Sequence, residues 1–373
     1  MIPREVFVET LLGFLQPVRR YLDDPSVSEI MINGPARVYI ERRGRIERTD
    51  ARFNSSEAVL CALRNAAQFV GKSLDEQSPT LEARLPDGSR LQAVIAPAAA
   101  EGPYVSIRRF TQQALELDAL IGQGSLTGLA AAALEALIQA RLNLLIAGGT
   151  GSGKTSLLNL LTRFLPEGER TIVIEDSKEV VVQQEHVVYL EARPADVDGR
   201  GAVSIRDLFR ASLRMRPDRI VIGEIRGGEA LDIVQAMVSG HGGCMGTLHA
   251  TYPRDTLTRL ETMALMSDVE MPLGALRAQI ASGVNVIVQI ARERDGSRKV
   301  THISEVRGLN AAGHYELYDL FARQYYGLDA HGNVLSELLP TGQLPAFLPY
   351  LHSRGLDLPR GVYAAAERAQ GAA

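Results

Sequence analysis

The sequence has few cysteines and no long uninterrupted apolar run. Of its 373 residues, only Cys61 and Cys244 are cysteines, and they lie far apart without CxxC spacing. This usage favours reduced thiols in a cytosol. The longest apolar stretch, near 129–146, is too interrupted to span a bilayer, so we expect any membrane role to work through a partner. The polar residues that interrupt it are Glu135, Gln139, Arg141 and Asn143.

Positive charge is not in excess, and lysine is scarce. The chain has 40 basic and 44 acidic residues, a net charge of −4, and no tail of one sign. This balance argues against a dedicated nucleic-acid binder. The base-reading Asn-Lys-x-Asp motif of GTPases is also missing, because none of the lysines follows an asparagine. The lysines are Lys72, Lys154, Lys178 and Lys299.

The first 110 residues of the chain predict a small α+β domain. Acidic residues within the amphipathic N-terminal pattern do not fit a signal peptide. Residues 36–46 alternate around an Arg-Gly turn as in a hairpin, and 56–70 have helical spacing. Two strands are predicted at 81–85 and 91–95. We therefore predict an N-terminal domain over 1–110, the first of the two domains expected at this length.

The second half predicts a different architecture. A polar stretch, 111–128, is predicted as a linker. Strands and helices alternate over 129–310, which indicates a mostly parallel sheet with helices on both faces, and ligands of such sheets bind at the carboxyl ends of the strands. The stretch 311–373 is predicted as a C-terminal appendage. The predicted strands are 144–147, 171–175 and 220–223, and helices are predicted from 154, at 206–215 and at 228–239.

Residues 148–155 match the phosphate-binding loop pattern in full and follow an apolar run at 143–147. Glycines let backbone N–H groups surround phosphate oxygens, and the following helix directs its positive end at the same anion. Lys154 is expected to reach the β- and γ-phosphates of ATP, and the Thr155 hydroxyl to bind Mg²⁺. An incidental glycine-rich turn is the alternative. The predicted nucleotide-binding residues are Gly148, Gly149, Thr150, Gly151, Ser152, Gly153, Lys154, Thr155 and Ser156.

Two further strands end in carboxylates. The strand 171–175 ends in Glu175 and Asp176, a pair that can hold Mg²⁺ through water or orient an attacking water, unless Asp176 serves as a helix N-cap. The strand 219–222 leads to Glu224. We expect Glu224 to position the attacking water, although it could simply pair with Arg226 at the surface.

A glycine-rich loop carries two histidines, and arginines are dense nearby. His249 is predicted to donate to a γ-phosphate and to report its loss, whereas the role of His241 stays open. Their spacing with Cys244 is metal-like, but no fourth ligand is near and zinc is not expected. Arg108 and Arg109, which end the first domain, are predicted to contact the nucleotide or else to pair locally. Eight arginines over 193–226 could mark a nucleic-acid patch, could supply positive charge to the phosphates across a subunit interface, or could be ordinary surface or ion-paired residues.

Four motifs in order, GGTGSGKTS, TIVIED, RMRPDRIVIGEIRGGEAL and SGHGGCMGTLHA, resemble the secretion or traffic ATPase superfamily of type II and type IV secretion systems and type IV pili. The CpaF-like ATPases of tight-adherence (Flp/Tad) pili are the branch it resembles most, over about 20–310. The stretches SEIMINGPARVYIERRGRI and SIRRF also look like that branch. The four-cysteine zinc motif of many type II secretion ATPases is missing.

The resemblance implies a RecA-like phosphate-loop ATPase domain with a smaller, mobile N-terminal α+β (PAS-like) domain. It implies a cytoplasmic homohexamer that uses ATP and Mg²⁺ and is recruited peripherally to an inner-membrane platform protein, without inserting into the membrane. Glu175 then matches the acidic box, Glu224 the catalytic glutamate, and His241 and His249 the histidine box. A DNA-translocating or conjugation-type ATPase is the alternative, and a catalytically inactive scaffold is a third possibility.

Overall fold

The computed structural model describes residues 4–42, 44–109, 116–195 and 199–371. Within these ranges the chain divides into two compact units, Met1–Gln113 with Ala195–Ala202, and Ala114–Pro194 with Val203–Ala373. Each unit has its own hydrophobic core. No helix in the described ranges is both long enough and apolar enough to cross a membrane.

The N-terminal unit is an antiparallel sheet covered by helices. Its strand order is β3-β2-β1-β6-β5-β4, with every neighbouring pair antiparallel. Helix α3 begins where the Ser55 hydroxyl accepts from the Ala58 N–H, and its apolar face packs in the same core as the strands. The elements are α1 (Arg4–Phe14), α2 (Gln16–Asp23), β1 (Val27–Asn33), β2 (Val38–Arg42), β3 (Arg45–Arg48), α3 (Ser56–Phe69), β4 (Thr80–Arg84), β5 (Arg90–Val94) and β6 (Tyr104–Arg108).

The second unit is built on a nine-stranded sheet of order β15-β14-β13-β12-β7-β11-β10-β8-β9. Its elements are α4 (Leu117–Gly122), α5 (Gly128–Gln139), β7 (Leu144–Gly148), α6 (Lys154–Leu161), β8 (Thr171–Glu175), β9 (Val187–Glu191), α7 (Ile205–Ser212), β10 (Arg219–Ile222), α8 (Glu229–Val238), β11 (Met245–Leu248), α9 (Pro253–Leu265), α10 (Leu273–Gly283), β12 (Val286–Arg292), β13 (Arg298–Leu309), β14 (Tyr315–Leu328), β15 (Val334–Pro340), α11 (Leu348–Ser353) and α12 (Arg360–Gly371). A short 3-10 turn, Thr162–Phe164, follows α6.

Alternating side chains of the central strand divide the core into two layers. Leu144 and Ile146 of β7 point into one cluster, and Leu145 and Ala147 into the other. Period-two alternation on a fully buried strand produces this division, and it requires helices on both faces. Strands β12, β7, β11, β10, β8 and β9 are mutually parallel, so their carboxyl ends share one edge of the sheet.

The strands and helices predicted around the motifs are confirmed to within one to three residues at each end. The predicted appendage, 311–373, supplies β14 and β15 to the same sheet, and Val362 of its last helix packs in the same core. Helix α4 lies within the predicted linker, 111–128, whose first residues fall outside the described ranges. The domain boundaries themselves stay predictions.

Candidate nucleotide site

The predicted site residues meet at the carboxyl edge of the parallel strands. Strand β7 ends at Gly148, β8 at Glu175, β10 two residues before Glu224, and β11 one residue before His249. The paired registers put these strand ends side by side. Helix α6 begins at Lys154, so its N–H groups point to the same edge. This is where an open parallel sheet binds ligands.

The loop between β7 and α6 requires glycine at several positions. Gly151 and Gly153 have φ of +70° and +95°, values that residues with a side chain rarely adopt. A Cβ on Gly148 would stand 2.3 Å from the Ile290 carbonyl oxygen and 2.5 Å from Ser152 Oγ. The glycines are therefore needed for the loop to close against β12, in addition to leaving room for an anion.

The Lys154 ammonium lies inside this loop. The side chain is only 7% exposed, and its Nζ donates to the carbonyl oxygens of Gly148 at 3.1 Å and Gly149 at 3.0 Å. Nζ is also 3.3 Å from His249 Nδ1. A positive charge is thus held beside the position where loop N–H groups would bind a phosphate.

A chain of polar contacts, here called the relay, runs from Lys154 through His249, Glu224 and Arg226 to Asp176. His249 Nε2 is 2.9 Å from Glu224 Oε1, and Arg226 Nη2 donates to Glu224 Oε2 at 2.6 Å. Arg226 Nη1 donates to Asp176 Oδ2 at 2.9 Å. The Glu224–Arg226 pair expected of a surface glutamate therefore exists, but as part of the site. Asp176 is not a helix cap, because the described chain forms no helix between β8 and β9.

The relay sets the protonation of its members. Burial, followed by the charge of Lys154, lowers the pKa of His249. Burial alone would raise the pKa of the Glu224 carboxyl, but the hydrogen bond and charge of Arg226, with the charge of Lys154, lower it overall. A neutral imidazole that accepts from Lys154 through Nδ1 and donates to Glu224 through Nε2 satisfies all three groups. Glu224 is thereby kept as a carboxylate at neutral pH.

Glu175 lies at the same edge but is bonded to backbone. It is 5% exposed, and its carboxylate accepts from the N–H groups of Glu179 and Val180 at 3.0–3.2 Å. A Cβ on Gly223 would stand 2.7 Å from Glu175 Cγ, so that glycine makes room for the carboxylate. The structure therefore shows Glu175 organising the loop after β8. Its predicted part in catalysis and in binding Mg²⁺ through water stays a prediction.

The two histidines of the glycine-rich loop are not brought together. His249 follows the carboxyl end of β11, whereas His241 precedes its amino end; four residues at about 3.3 Å each make the strand roughly 13 Å long. Cys244 is buried beside His241, and burial raises the pKa of its thiol to about 12, so it stays protonated. Within the described ranges no three His, Cys, Asp or Glu residues form a cluster that could hold a metal.

The sequence profile of the family described as "Type II/IV secretion system protein" matches residues 14–318, which is most of the chain. The order of its motifs and their meeting at one sheet edge agree with that match. This chain belongs to the type II/IV secretion system protein family.

Two relatives and one solved structure are similar to this chain over most of its length. It is 34% identical over 301 residues to a putative conjugal transfer protein of Mycobacterium tuberculosis, covering 79% of this chain and 84% of that protein. It is 32% identical over 325 residues to a type IV secretion system protein PtlH homolog of Bordetella bronchiseptica, covering 80% and 95%. The pilus retraction motor PilT, solved with bound ADP, superposes with a TM-score of 0.53 at 17% identity, covering 95% of this chain and 89% of PilT. The fold is thus a RecA-like phosphate-loop domain with an N-terminal α+β domain.

Arg108 and Arg109 differ in their surroundings within the N-terminal unit of this family member. Arg109 Nη1 donates to the carbonyl oxygens of Asp24 and Val27, so its side chain is bonded to backbone of its own unit. Arg108 ends β6 and is exposed. Local bonding is therefore what the structure shows for Arg109. A catalytic part for either residue stays a prediction.

Arginines of the segment 193–226 form ion pairs with carboxylates close to them. The local ion-pair interpretation is confirmed for four of them, Arg206, Arg210, Arg219 and Arg226. Two other arginines, which the sequence motifs did not indicate, lie at the phosphate loop. These are Arg292 and Arg298, and Arg298 Nε donates to the Gly151 carbonyl oxygen at 3.0 Å. The only signal for these two arginines in the sequence would have been the pattern of a β-hairpin at the end of a parallel strand.

Proposed function

We propose that this protein is an ATPase that powers a secretion-system or pilus machine. The observation that carries the proposal is the relay, in which a phosphate-loop lysine, a histidine and a glutamate lie within direct contact at the carboxyl edge of a RecA-like sheet. Its contacts are 3.3 Å from Lys154 to His249 and 2.9 Å from His249 to Glu224. Phosphoryl transfer needs mainly positioning and electrostatic stabilisation, and these are what such a set of groups supplies.

Each group has a part that follows from its geometry. Lys154 binds the terminal phosphates of ATP, and the glycine loop with the first turn of α6 contributes N–H donors. Glu224, held as a carboxylate, accepts a hydrogen bond from the attacking water and orients it. His249 moves its hydrogen bond between Glu224 and the γ-phosphate, so the loss of that phosphate changes the relay.

The site also fits Mg²⁺, since the half-buried Thr155, the second residue of helix α6, follows Lys154 and offers a hydroxyl oxygen. Bound with the nucleotide, Mg²⁺ would neutralise charge on the transferred phosphoryl group. Thr155 would hold it directly and Glu175 through water. The full match of 148–155 to the phosphate-loop pattern supports a nucleoside triphosphate as the substrate, and the missing Asn-Lys-x-Asp motif favours ATP over GTP.

We further propose a cytoplasmic homohexamer, recruited peripherally by an inner-membrane platform protein. The relatives at 34% and 32% identity are named for conjugal transfer and type IV secretion, which favours a secretion or conjugation machine as the setting. Assembly of a tight-adherence (Flp/Tad) pilus is the finer alternative that the motifs favour. The net charge of −4 does not favour direct DNA binding in either setting.

Two substitutions test the enzyme. Lys154→Ala should abolish nucleotide binding or turnover, because the positive charge at the terminal phosphates is lost. Glu224→Gln keeps the shape of the side chain and should retain nucleotide affinity while kcat falls about 10²-fold or more. Nucleotide affinity and kcat are measured for both, with Glu270→Gln, an exposed glutamate in the loop after α9, as the matched control. Parental turnover in Glu224→Gln would move the catalytic role to Glu175.

The assembly and the partner need separate measurements. ATPase activity per chain should rise with protein concentration, and mass determination with a non-hydrolysable nucleotide should give a hexamer. A fully active monomer would contradict the ring. Stimulation of turnover by DNA, falling steeply with salt, would replace the protein-secretion setting by DNA translocation.

A further inference from the structure

The phosphate loop has a second flank, formed by the β12–β13 hairpin. Strand β12 is parallel to β7, with Ile290 paired to Gly148, so the carboxyl end of β12 lies at the same edge as the loop. The two backbones touch there, since a Cβ on Gly148 would be 2.3 Å from the Ile290 carbonyl oxygen. The residues after Ile290 therefore continue past the side of the loop.

Two arginines of this hairpin lie against the loop. Arg292 and Arg298 are directly opposite each other on the antiparallel strands. Arg298 Nε donates to the Gly151 carbonyl oxygen at 3.0 Å, and Arg298 Cδ is 3.0 Å from where a Cβ of Gly153 would stand. Arg292 Nη1 is 3.5 Å from the corresponding Cβ position of Gly151. Arg298 thus lies against both of the loop glycines that have positive φ, and Arg292 lies beside Gly151.

The hairpin that carries the arginines is well tethered. At its tip the Glu293 N–H donates to the Ser297 carbonyl, and Asp295 accepts from the Ser297 N–H at 2.8 Å. The other oxygen of Asp295 accepts from the Val334 N–H at 2.7 Å, and Tyr325 donates to Glu293 at 2.8 Å. These bonds join the tip to β14 and β15. The guanidinium groups are consequently presented from a supported part of the sheet.

The two flanks of the loop differ in chemistry. The β11 flank carries Glu224 and His249, so the reacting γ-phosphate must lie there. The remainder of a bound nucleotide then extends over the loop towards β12. A guanidinium has five N–H donors in a planar fork that matches phosphate oxygens.

We propose that Arg292 and Arg298 bind the α- and β-phosphates of the nucleotide, the phosphates that ATP and ADP share. This inference rests on the proposed function of the same site. It assigns the two flanks different tasks. Residues on the β11 flank bind the γ-phosphate and promote its cleavage. Residues on the β12 flank bind the part of the nucleotide that remains after cleavage.

The test measures affinity for ADP and for a non-hydrolysable ATP analogue in the full chain. Arg298→Ala should weaken both by a similar factor, about tenfold, as expected for loss of one charge-assisted contact. In turnover the loss should appear mainly in KM, because an interaction common to ground and transition state changes binding uniformly. Arg294→Ala, which removes an exposed arginine from the same hairpin, is the matched control and should leave both affinities unchanged.

Three further measurements decide the assignment. Arg298→Lys, which keeps the charge and the fold, should recover only part of the ADP affinity, because lysine lacks the planar fork. Inorganic tripolyphosphate should lose affinity for Arg298→Ala as ADP does; if only ADP is weakened, the arginine contacts the nucleoside and the proposal is wrong. Unchanged ADP affinity when Arg292 and Arg298 are replaced together would also overturn it. A parental protein that neither binds nor hydrolyses ATP would instead refute the proposed function.

Discussion

The two histidines of the glycine-rich segment 240–249 lie at opposite ends of strand β11, in different surroundings. At the carboxyl end, His249 lies between the Lys154 ammonium and the Glu224 carboxylate, with 39% of its side chain exposed. At the amino end, His241 precedes a loop that rests on the fully buried Arg219. A Cβ on Gly243 of that loop would stand 2.5 Å from Arg219 Nη1.

The amino end is organised for stability. Arg219 Nε donates to Glu169 Oε2 at 2.5 Å, and its Nη1 donates to the Ile138 carbonyl oxygen at 2.7 Å. Arg141 Nη2 donates to the other oxygen of Glu169 at 2.6 Å. These bonds join β10, the loop before β8 and helix α5 beneath the sheet. The comparison teaches that in a parallel sheet the carboxyl edge supplies groups that can reach a ligand, while the opposite edge can bury its charges in structural bonds.

The largest effect is a loss in the free energy of unfolding, and we expect it from Arg219→Met at the amino end of β11. Removing one partner of a buried ion pair costs about 3–5 kcal/mol, and we expect about 3 kcal/mol because Arg141 still bonds to Glu169. Urea unfolding followed by circular dichroism measures the free energy of unfolding. Arg214→Met, at an exposed arginine just after helix α7, is the control and should change it by less than about 0.5 kcal/mol. Equal stability of the two variants would show that the buried pair contributes nothing.

At the carboxyl end, His249→Ala should instead reduce turnover by about tenfold or more, with little change in stability, because in the proposed mechanism the imidazole orients Glu224 and contacts the γ-phosphate. Steady-state kcat and the urea midpoint are measured together. His314→Ala, an exposed histidine in the β13–β14 turn, serves as the control and should match the parent in both. A large loss of stability with parental kcat per folded chain would reverse the comparison of the two ends.

The protonation of His249 offers a smaller, directional test. Its pKa lies below the ordinary value, so the folded state keeps it neutral where the unfolded chain takes up a proton. The contribution of His249 to the free energy of unfolding is therefore fully present above about pH 6.5. It is lost as pH falls through the lowered pKa. Histidine NMR should show that Lys154→Ala moves the pKa of His249 upward, since a neighbouring positive charge is removed. A downward shift or none would mean that the Lys154 charge does not lower the pKa of His249.

The smallest effect is expected for the kcat of His241→Ala. Its ring lies at the amino end of β11, away from the relay, so kcat should stay within about twofold of the parent if the carboxyl edge alone carries the chemistry. The same ATPase assay measures it alongside His249→Ala. A loss as large as that of His249→Ala would give both histidines a functional role and remove the distinction between the two ends.

The local sequence pattern was enough to predict the strands and helices that carry the motifs. The phosphate loop, the strands that end at Glu175 and before Glu224, and helix α3 follow from apolar periodicity, glycine spacing and capping, all of which act between residues close in sequence. The pattern did not reveal that 311–373 extends the main sheet, because strand pairing is decided between distant segments. It also did not identify Arg292 and Arg298, whose relevance depends on β12 lying beside β7.

The sequence by itself determined that this chain has a phosphate loop, the residue types needed for ATP hydrolysis, and a parallel sheet to hold them, since these depend on short-range spacing. The sequence favoured His249 as a site residue and left the role of His241 open, and only the tertiary structure decided that His241 lies away from the site. A separation of eight residues in one glycine-rich segment does not distinguish the positions of His241 and His249. The strand between them does, because it directs one residue to the carboxyl edge, where helix termini and carboxylates meet, and the other to the amino edge above Arg219.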